Sequence, residues 1–372
     1  QTQGGQMTRK QLLLLLAVLL VIGGAGLVLA RRNKESWTQP DARMGQKVLP
    51  NFPFNEVAAI HIEAERGLDL VRKGDTWRVP QRADYPANFH QLSDLLIKVR
   101  DLKVVQSEPV TPSELGEVNL QEPGNGRGSG TLVEFKDAQG RMVQSMILGK
   151  MHLREGGSTP FDSGTPDGRY VLLPDNPKDA LLVSEPLSGF VPLPEYWVSK
   201  DFIRVEHIKS IALASPAAEN SWKVSREAES APWKQDAAKP GETLDTDLIN
   251  TLGRMLSYYT FMDVLTAPAP AGSGLDQPKI ATIETFDHFT YTLKIGSKTP
   301  QENYYVTVAV AADGPTDSKL QDKLKQEQSL APWVYLVSAG IVSPLVRDRP
   351  DIMSKKMEAK TDSALGGSGT IR

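Results

Sequence analysis

No cysteine occurs anywhere in the 372 residues. That absence excludes disulfides, thiolate nucleophiles, iron–sulfur clusters and cysteine-ligated zinc. It also suits an oxidising compartment, where a stray thiol is a liability. Histidine is scarce too. His61, His90, His152, His207 and His288 are the full set, and none falls in a His-Glu-x-x-His helix or another short metal-ligand spacing. Basic charge is not in excess: the formal net charge is −3 and the pI near 6.1, which argues against a nucleic-acid partner. No Gly-x-Ser-x-Gly elbow is present to seat a serine nucleophile. The glycine-rich stretch Gly124–Gly130 lacks a following Gly-Lys-Ser/Thr, and a strand pattern rather than a helix comes after it, so no phosphate loop is expected. Acidic residues are scattered, which leaves no carboxylate pair to nominate.

Long hydrophobic runs are absent with a single exception. Leu12 to Ala30 is a stretch of nineteen uncharged, almost wholly aliphatic residues. As a helix it would span roughly 28 Å, close to the hydrocarbon thickness of a bilayer. The run is longer than the about 7–15 residues of a signal peptide's apolar region, and Arg31 follows it directly, so an uncleaved anchor is expected. Arg9 and Lys10 precede the run, while Arg31, Arg32 and Lys34 follow it, so basic residues do not fix its orientation. A short leading segment ahead of a large body behaves as a signal anchor. That places the body outside the cytoplasm, held to the inner membrane by one pass.

The remainder has ordinary globular composition, with 40% hydrophobic and 23% charged residues, so a buried core is expected. It also repeats itself. Val57–Ile62 alternates like a strand and is matched by Ile208–Leu213. Leu68–Arg72 parallels Trp222–Arg226, and Asp75-Thr-Trp77-Arg answers Ala231-Pro-Trp233-Lys. The offsets 151, 154 and 156 drift only as loop-length changes would make them. Each tryptophan is followed by an amphipathic helix pattern: Phe89, Leu92, Leu96, Val99 and Leu102 after a cap at Asn88, then Leu248, Leu252, Met255 and Tyr259 after a cap at Asp245. Short β-like pieces, Lys103–Val105 and Thr260–Met262, come next. Two-strand patterns follow at Thr131–Phe135 with Val143–Gly149, and at Ala281–Phe286 with Thr290–Gly296. The expected fold is therefore α+β: an N-terminal transmembrane helix and two tandem repeated units, each a mostly antiparallel sheet with an amphipathic helix packed on it. The boundaries read as residues 1–11 for a short N-terminal segment, 12–30 for the anchor, 31–53 for a spacer, 54–200 and 201–350 for the repeats, and 351–372 for a disordered tail.

Trp77, Trp233, Leu96 and Leu252 are the expected repeat cores, because a duplicated fold must rebuild its core twice. Two aromatic pairs, Tyr196-Trp197 and Tyr304-Tyr305, are candidates for a partner surface. No catalytic, cofactor-binding or metal-binding residue is nominated.

A short basic start, a leucine-rich anchor, Gly74-Asp-Thr-Trp77, Tyr85-Pro-Ala-Asn88 leading into a helix, Val104-Val-Gln-Ser107 and Ile147-Leu-Gly149 together resemble the bacterial "domain of unknown function 4340" (DUF4340) family. The resemblance implies an accessory membrane protein found beside ABC-type export or gliding-type envelope components, with an ABC-type permease among its partners. It implies no reaction and supplies no catalytic residue. The expected function is thus a non-enzymatic interaction or scaffold module at the cell envelope. The alternative is a module that binds an envelope polymer or transported substrate in a cleft between the two repeats. An envelope hydrolase stands third.

Overall fold

The computed structural model describes residues 43–124, 126–154, 164–265, 268–314 and 317–353. The expected anchor at Leu12–Ala30, the segment before it, and residues 354–372 of the expected tail lie outside these. Among the described residues no helix is long and apolar enough to cross a membrane. The architecture is α+β, with two antiparallel sheets and few helices. Contacts divide the described chain into two compact units, 43–67 with 93–192, and 68–92 with 193–353.

The first half of the chain runs β1 (Ala59–Glu63), β2 (Gly67–Lys73), β3 (Thr76–Val79), β4 (Tyr85–Pro86), α1 (Phe89–Asp101), β5 (Val104–Pro109), β6 (Thr131–Lys136), β7 (Met142–Leu153), β8 (Pro166–Leu173), β9 (Asn176–Val183) and α2 (Pro194–Trp197). The second half runs β10 (Ile208–Ala214), β11 (Trp222–Ser225), β12 (Lys234–Gln235), α3 (Thr246–Leu256), β13 (Asp263–Leu265), β14 (Lys279–Thr285), β15 (Phe289–Lys298), β16 (Asn303–Ala312), α4 (Ser318–Gln328), β17 (Val334–Ser338) and α5 (Ala339–Val342).

Within the first unit six strands are ordered β1-β6-β7-β8-β9-β5. In the second, β10-β14-β15-β16-β17-β13 gives the same order strand for strand. The registers agree as well. Buried Ile60 faces Phe135 and Ile62 faces Val133, while buried Ile211 faces Ile283 and Leu213 faces Ala281. Such alternation puts every second side chain into the core, which is why a two-residue period in the sequence locates these strands. The hairpin pattern also recurs: Val71 pairs with Arg78 in β2–β3, and Val224 with Gln235 in β11–β12.

A local detail recurs in both sheets. The loop after β5 crosses β7 at Gly149, where an added Cβ would run into the Val118 carbonyl. The loop after β13 crosses β15 at Gly296, where a Cβ would meet the Ser273 carbonyl. In each case the residue after the glycine donates its N–H to that same carbonyl, Lys150 to Val118 at 2.8 Å and Ser297 to Ser273 at 2.6 Å. Glycine is required because backbone approaches backbone.

Residues 43–53, the last part of the segment read as a spacer, are paired with the first unit. Gly45 and Val48 donate to the Val104 and Leu102 carbonyls at 2.8 Å, and Phe52 packs edge-on against Phe135. In α1 the buried stripe is Leu92, Leu95, Val99 and then Leu102, not the expected stripe through Leu96. Leu96 is half-buried and Phe89 is 63% exposed. The face is centred one residue earlier than the leucine spacing suggested, since 92, 95 and 99 lie i, i+3, i+7 along one side. The strand expected at Thr260–Met262 lies at Asp263–Leu265, where the chain pairs with β17, and Phe261 just ahead of it is buried.

Candidate functional site

The second unit contains an open cleft of about 1050 Å³. Three segments far apart in sequence wall it: 200–206 ahead of β10, the C-terminal turn of α3 with residues 257–259, and α4. The first wall alternates only over its last four residues: Ile203 and Val205 are buried, Arg204 and Glu206 exposed. Ahead of them Phe202 is also buried, and Lys200 and Asp201 are exposed.

The wall's backbone is fully engaged around Arg204. Its N–H donates to Glu327 Oε1 at 2.9 Å, and its carbonyl accepts from Lys323 Nζ at 2.7 Å. Val205 N–H donates to the Leu256 carbonyl, and its own carbonyl accepts from the Ser257 hydroxyl at 3.1 Å. The opposite wall is fixed by Glu327, the buried acid of α4, only 4% exposed. Its Oε2 accepts from the Tyr291 hydroxyl at 2.8 Å. Burial pushes the Glu327 carboxyl above the usual carboxylate range, against the pull of the Arg204 N–H, the Tyr291 hydroxyl and the Lys323 charge. Asp317 starts this helix by accepting from the Leu320 N–H at 2.9 Å.

The floor is aromatic. Phe202 stacks on Tyr259 with ring centroids 5.8 Å apart, and Tyr335, Phe261, Tyr85 and Trp333 continue the cluster through edge and tilted contacts. Tyr259 is buried, burial raises its phenol pKa, and its hydroxyl has no hydrogen-bond partner among the described residues. Lys200 lies 4.8 Å over the Phe261 ring and donates to the Met262 carbonyl. Burial lowers its pKa, while Asp263 and Glu195 pull it back up.

Two guanidinium groups on the rim differ from these engaged residues. Among the described residues neither Arg204 nor Arg254 has a carboxylate partner, and the Arg254 side chain donates only to Thr251 Oγ1, at 3.0 Å. Beside them Tyr258 is 84% exposed. No histidine lines the cleft, and its serine is committed to a backbone carbonyl. The arrangement offers charge, hydrogen bonds and a ring face, which suits holding a ligand.

The residues nominated from sequence lie elsewhere. Trp77 and Trp233 are buried at 5% and 8% exposure, and the Trp233 indole donates to Asn250 Oδ1 while the Arg226 guanidinium sits 4.7 Å over its face. Leu252 is buried. The proposed partner surface needs correction at Trp197. That ring is wholly buried, edge-on to the 41% exposed Tyr196, so only the tyrosine can present a surface. Tyr304 and Tyr305 are half-buried on β16, a strand flanked on both sides by β15 and β17. The histidines make local pairs, His152 with Asp167 at 2.6 Å and His207 with Asp287 at 2.7 Å. The described residues contain no group of three side chains able to hold a metal ion.

The family model described as Domain of unknown function (DUF4340) matches residues 77–278, more than half of the chain, and the chain belongs to that family. The matched region begins at Trp77 and ends just ahead of β14, so it bridges the two halves. No curated protein and no solved structure matches the chain.

Proposed function

We propose that this DUF4340 protein is a membrane-anchored, extracytoplasmic module that works by binding rather than by catalysis, and that it binds through the cleft of its second unit. The observation that carries this reading is the cleft itself: a large concave surface with two guanidinium groups that have no carboxylate partner among the described residues and an exposed ring, on walls braced by buried hydrogen bonds. A site built on braced walls can hold a partner without being reordered on binding, which keeps the entropic cost of association low. The apolar run Leu12–Ala30 supports the anchor, and the absence of cysteine suits an oxidising compartment. The family resemblance favours service as an accessory subunit of an ABC-type export or gliding-type envelope assembly at the inner membrane.

Two measurements test it. Alkaline phosphatase fused after Arg372 is expected to be active, and activity only from a cytoplasmic reporter at the same site would reverse the topology. Purification in mild detergent is expected to retain a membrane partner, and the Arg254→Glu variant to lose it. Retention of the partner by that variant would remove the cleft from the function.

A further inference from the structure

We propose that the second-unit cleft recognises an acidic saccharide, a chain of sugar rings bearing carboxylates, with Arg204 and Arg254 taking the acid groups and Tyr258 stacking on a ring face. The inference rests on the binding reading above and names the ligand's chemistry.

The size of the site excludes a lone ion, since about 1050 Å³ exceeds the roughly 300–1,000 Å³ of ordinary small-molecule pockets. Its charge calls for an anion. Lys323 is neutralised by Glu206 at 3.1 Å and Lys200 is turned onto Phe261, but the two arginines have no carboxylate partner among the described residues. A planar guanidinium presents two parallel donors that match a carboxylate. Asp201 and Glu206 line the cleft with Arg204 and offer acceptors for the hydroxyl groups of such rings. Tyr258, exposed over 84% of its surface at the end of α3, presents a flat apolar face suited to the C–H face of a sugar ring.

A peptide is the competing occupant, and the walls disfavour it. No strand lines the cleft. The one extended segment has its Arg204 and Val205 amide and carbonyl groups already bonded, to Glu327, Lys323, Leu256 and Ser257. At these two residues the main chain is already engaged, which removes part of the pairing through which extended peptides gain main-chain affinity. Recognition falls to side chains, and hydroxyl-rich rings supply more partners to side chains than a peptide backbone does.

The test uses the full chain in detergent micelles and fluorescence anisotropy of three labelled probes: hexagalacturonate, uncharged maltohexaose and hexaglutamate. Hexagalacturonate is expected to bind saturably and to weaken as salt rises. Arg254→Gln and Tyr258→Ala are each expected to weaken it at least tenfold. Both residues are exposed, so folding is kept, and circular dichroism checks that. Arg347→Gln, an exposed arginine outside the cleft, is expected to leave binding unchanged. Equal or tighter binding of maltohexaose would overturn the acid requirement, and equal or tighter binding of hexaglutamate would assign the cleft to a peptide. Absence of saccharide binding, with partner retention still lost in Arg254→Glu, would overturn the ligand class and leave the binding reading standing. Loss of neither would overturn both.

Discussion

The two halves part company at one connection. In the first, β8 passes to β9 across two residues, from Leu173 to Asn176. In the second, the same step from β16 to β17 carries α4, whose Glu327 and Lys323 hold the segment leading into β10. The corresponding lead-in to β1 is closed down on its own core, with Val48, Leu49, Phe52 and Val57 buried. Lead-in and connection thus differ together. The shared strand order supplies a frame, and α4, which has no counterpart between β8 and β9, supplies one wall of the open cleft. Frames of this kind recur under many functions, so the unrepeated part is the more informative about role.

Three sets of substitutions sharpen or break this comparison. The largest effect is expected in the part the halves share. Trp77→Ala and Trp233→Ala each remove a buried indole and should each cost about 3–5 kcal/mol in urea unfolding of the full chain. A cost under about 1 kcal/mol for one alone would end the claim that the halves rebuild the same core. Next comes Glu327, which has no counterpart in the direct β8–β9 turn. Glu327→Ala leaves the Arg204 N–H without an acceptor and the Tyr291 hydroxyl with only its longer bond to the Arg204 carbonyl at 3.3 Å; it should cost about 2–3 kcal/mol, while Glu327→Gln keeps an acceptor and should cost less. The pH dependence has a definite sign. The folded state raises this carboxyl's pKa, so the native protein binds the proton more tightly than the unfolded chain. Its favourable contribution is complete below the ordinary carboxyl pKa and is lost as pH rises through the raised value. Glu327→Gln should therefore flatten the stability profile across that window; an unchanged profile would mean the carboxyl is not held as described. The smallest effect returns to a shared feature. Asn88 accepts from the Gln91 N–H at 3.2 Å and Asp245 from the Leu248 N–H at 2.9 Å. Alanine at either cap should cost about 1 kcal/mol by thermal melting, with Asp245 the costlier because its charge also meets the helix dipole.

Much of the frame was legible before any coordinates. Ile60, Ile62, Ile211 and Leu213 alternate cleanly because one sheet face is buried, and period two survives changes of loop length. Legibility failed where tertiary packing chose among nearly equal residues. Leu95 and Leu96 both suit a helix stripe, and only packing selected Leu95. Trp197 looked like a surface aromatic beside Pro194, yet it is fully enclosed. The helix α4 was missed for a related reason: Ser318–Gln328 offers only Leu320 and Leu324 as apolar positions, and its deepest side chain is an acid. The cleft was illegible in a stronger sense. Arg204, Arg254 and Lys323 lie some fifty or more residues apart, and no short spacing motif can register groups that meet only through the fold.

The glycines at the two loop crossings also fix the loops that pass over them. Gly149 and Gly296 occupy matching strands, each is crossed by a loop too near to admit any side chain, and each precedes an N–H given to the crossing carbonyl. Because the contact is backbone on backbone, a side chain at either glycine has to push the crossing loop off its strand and break the bond that follows. Each glycine therefore acts as a latch that fixes where a long, otherwise irregular loop lies over its sheet.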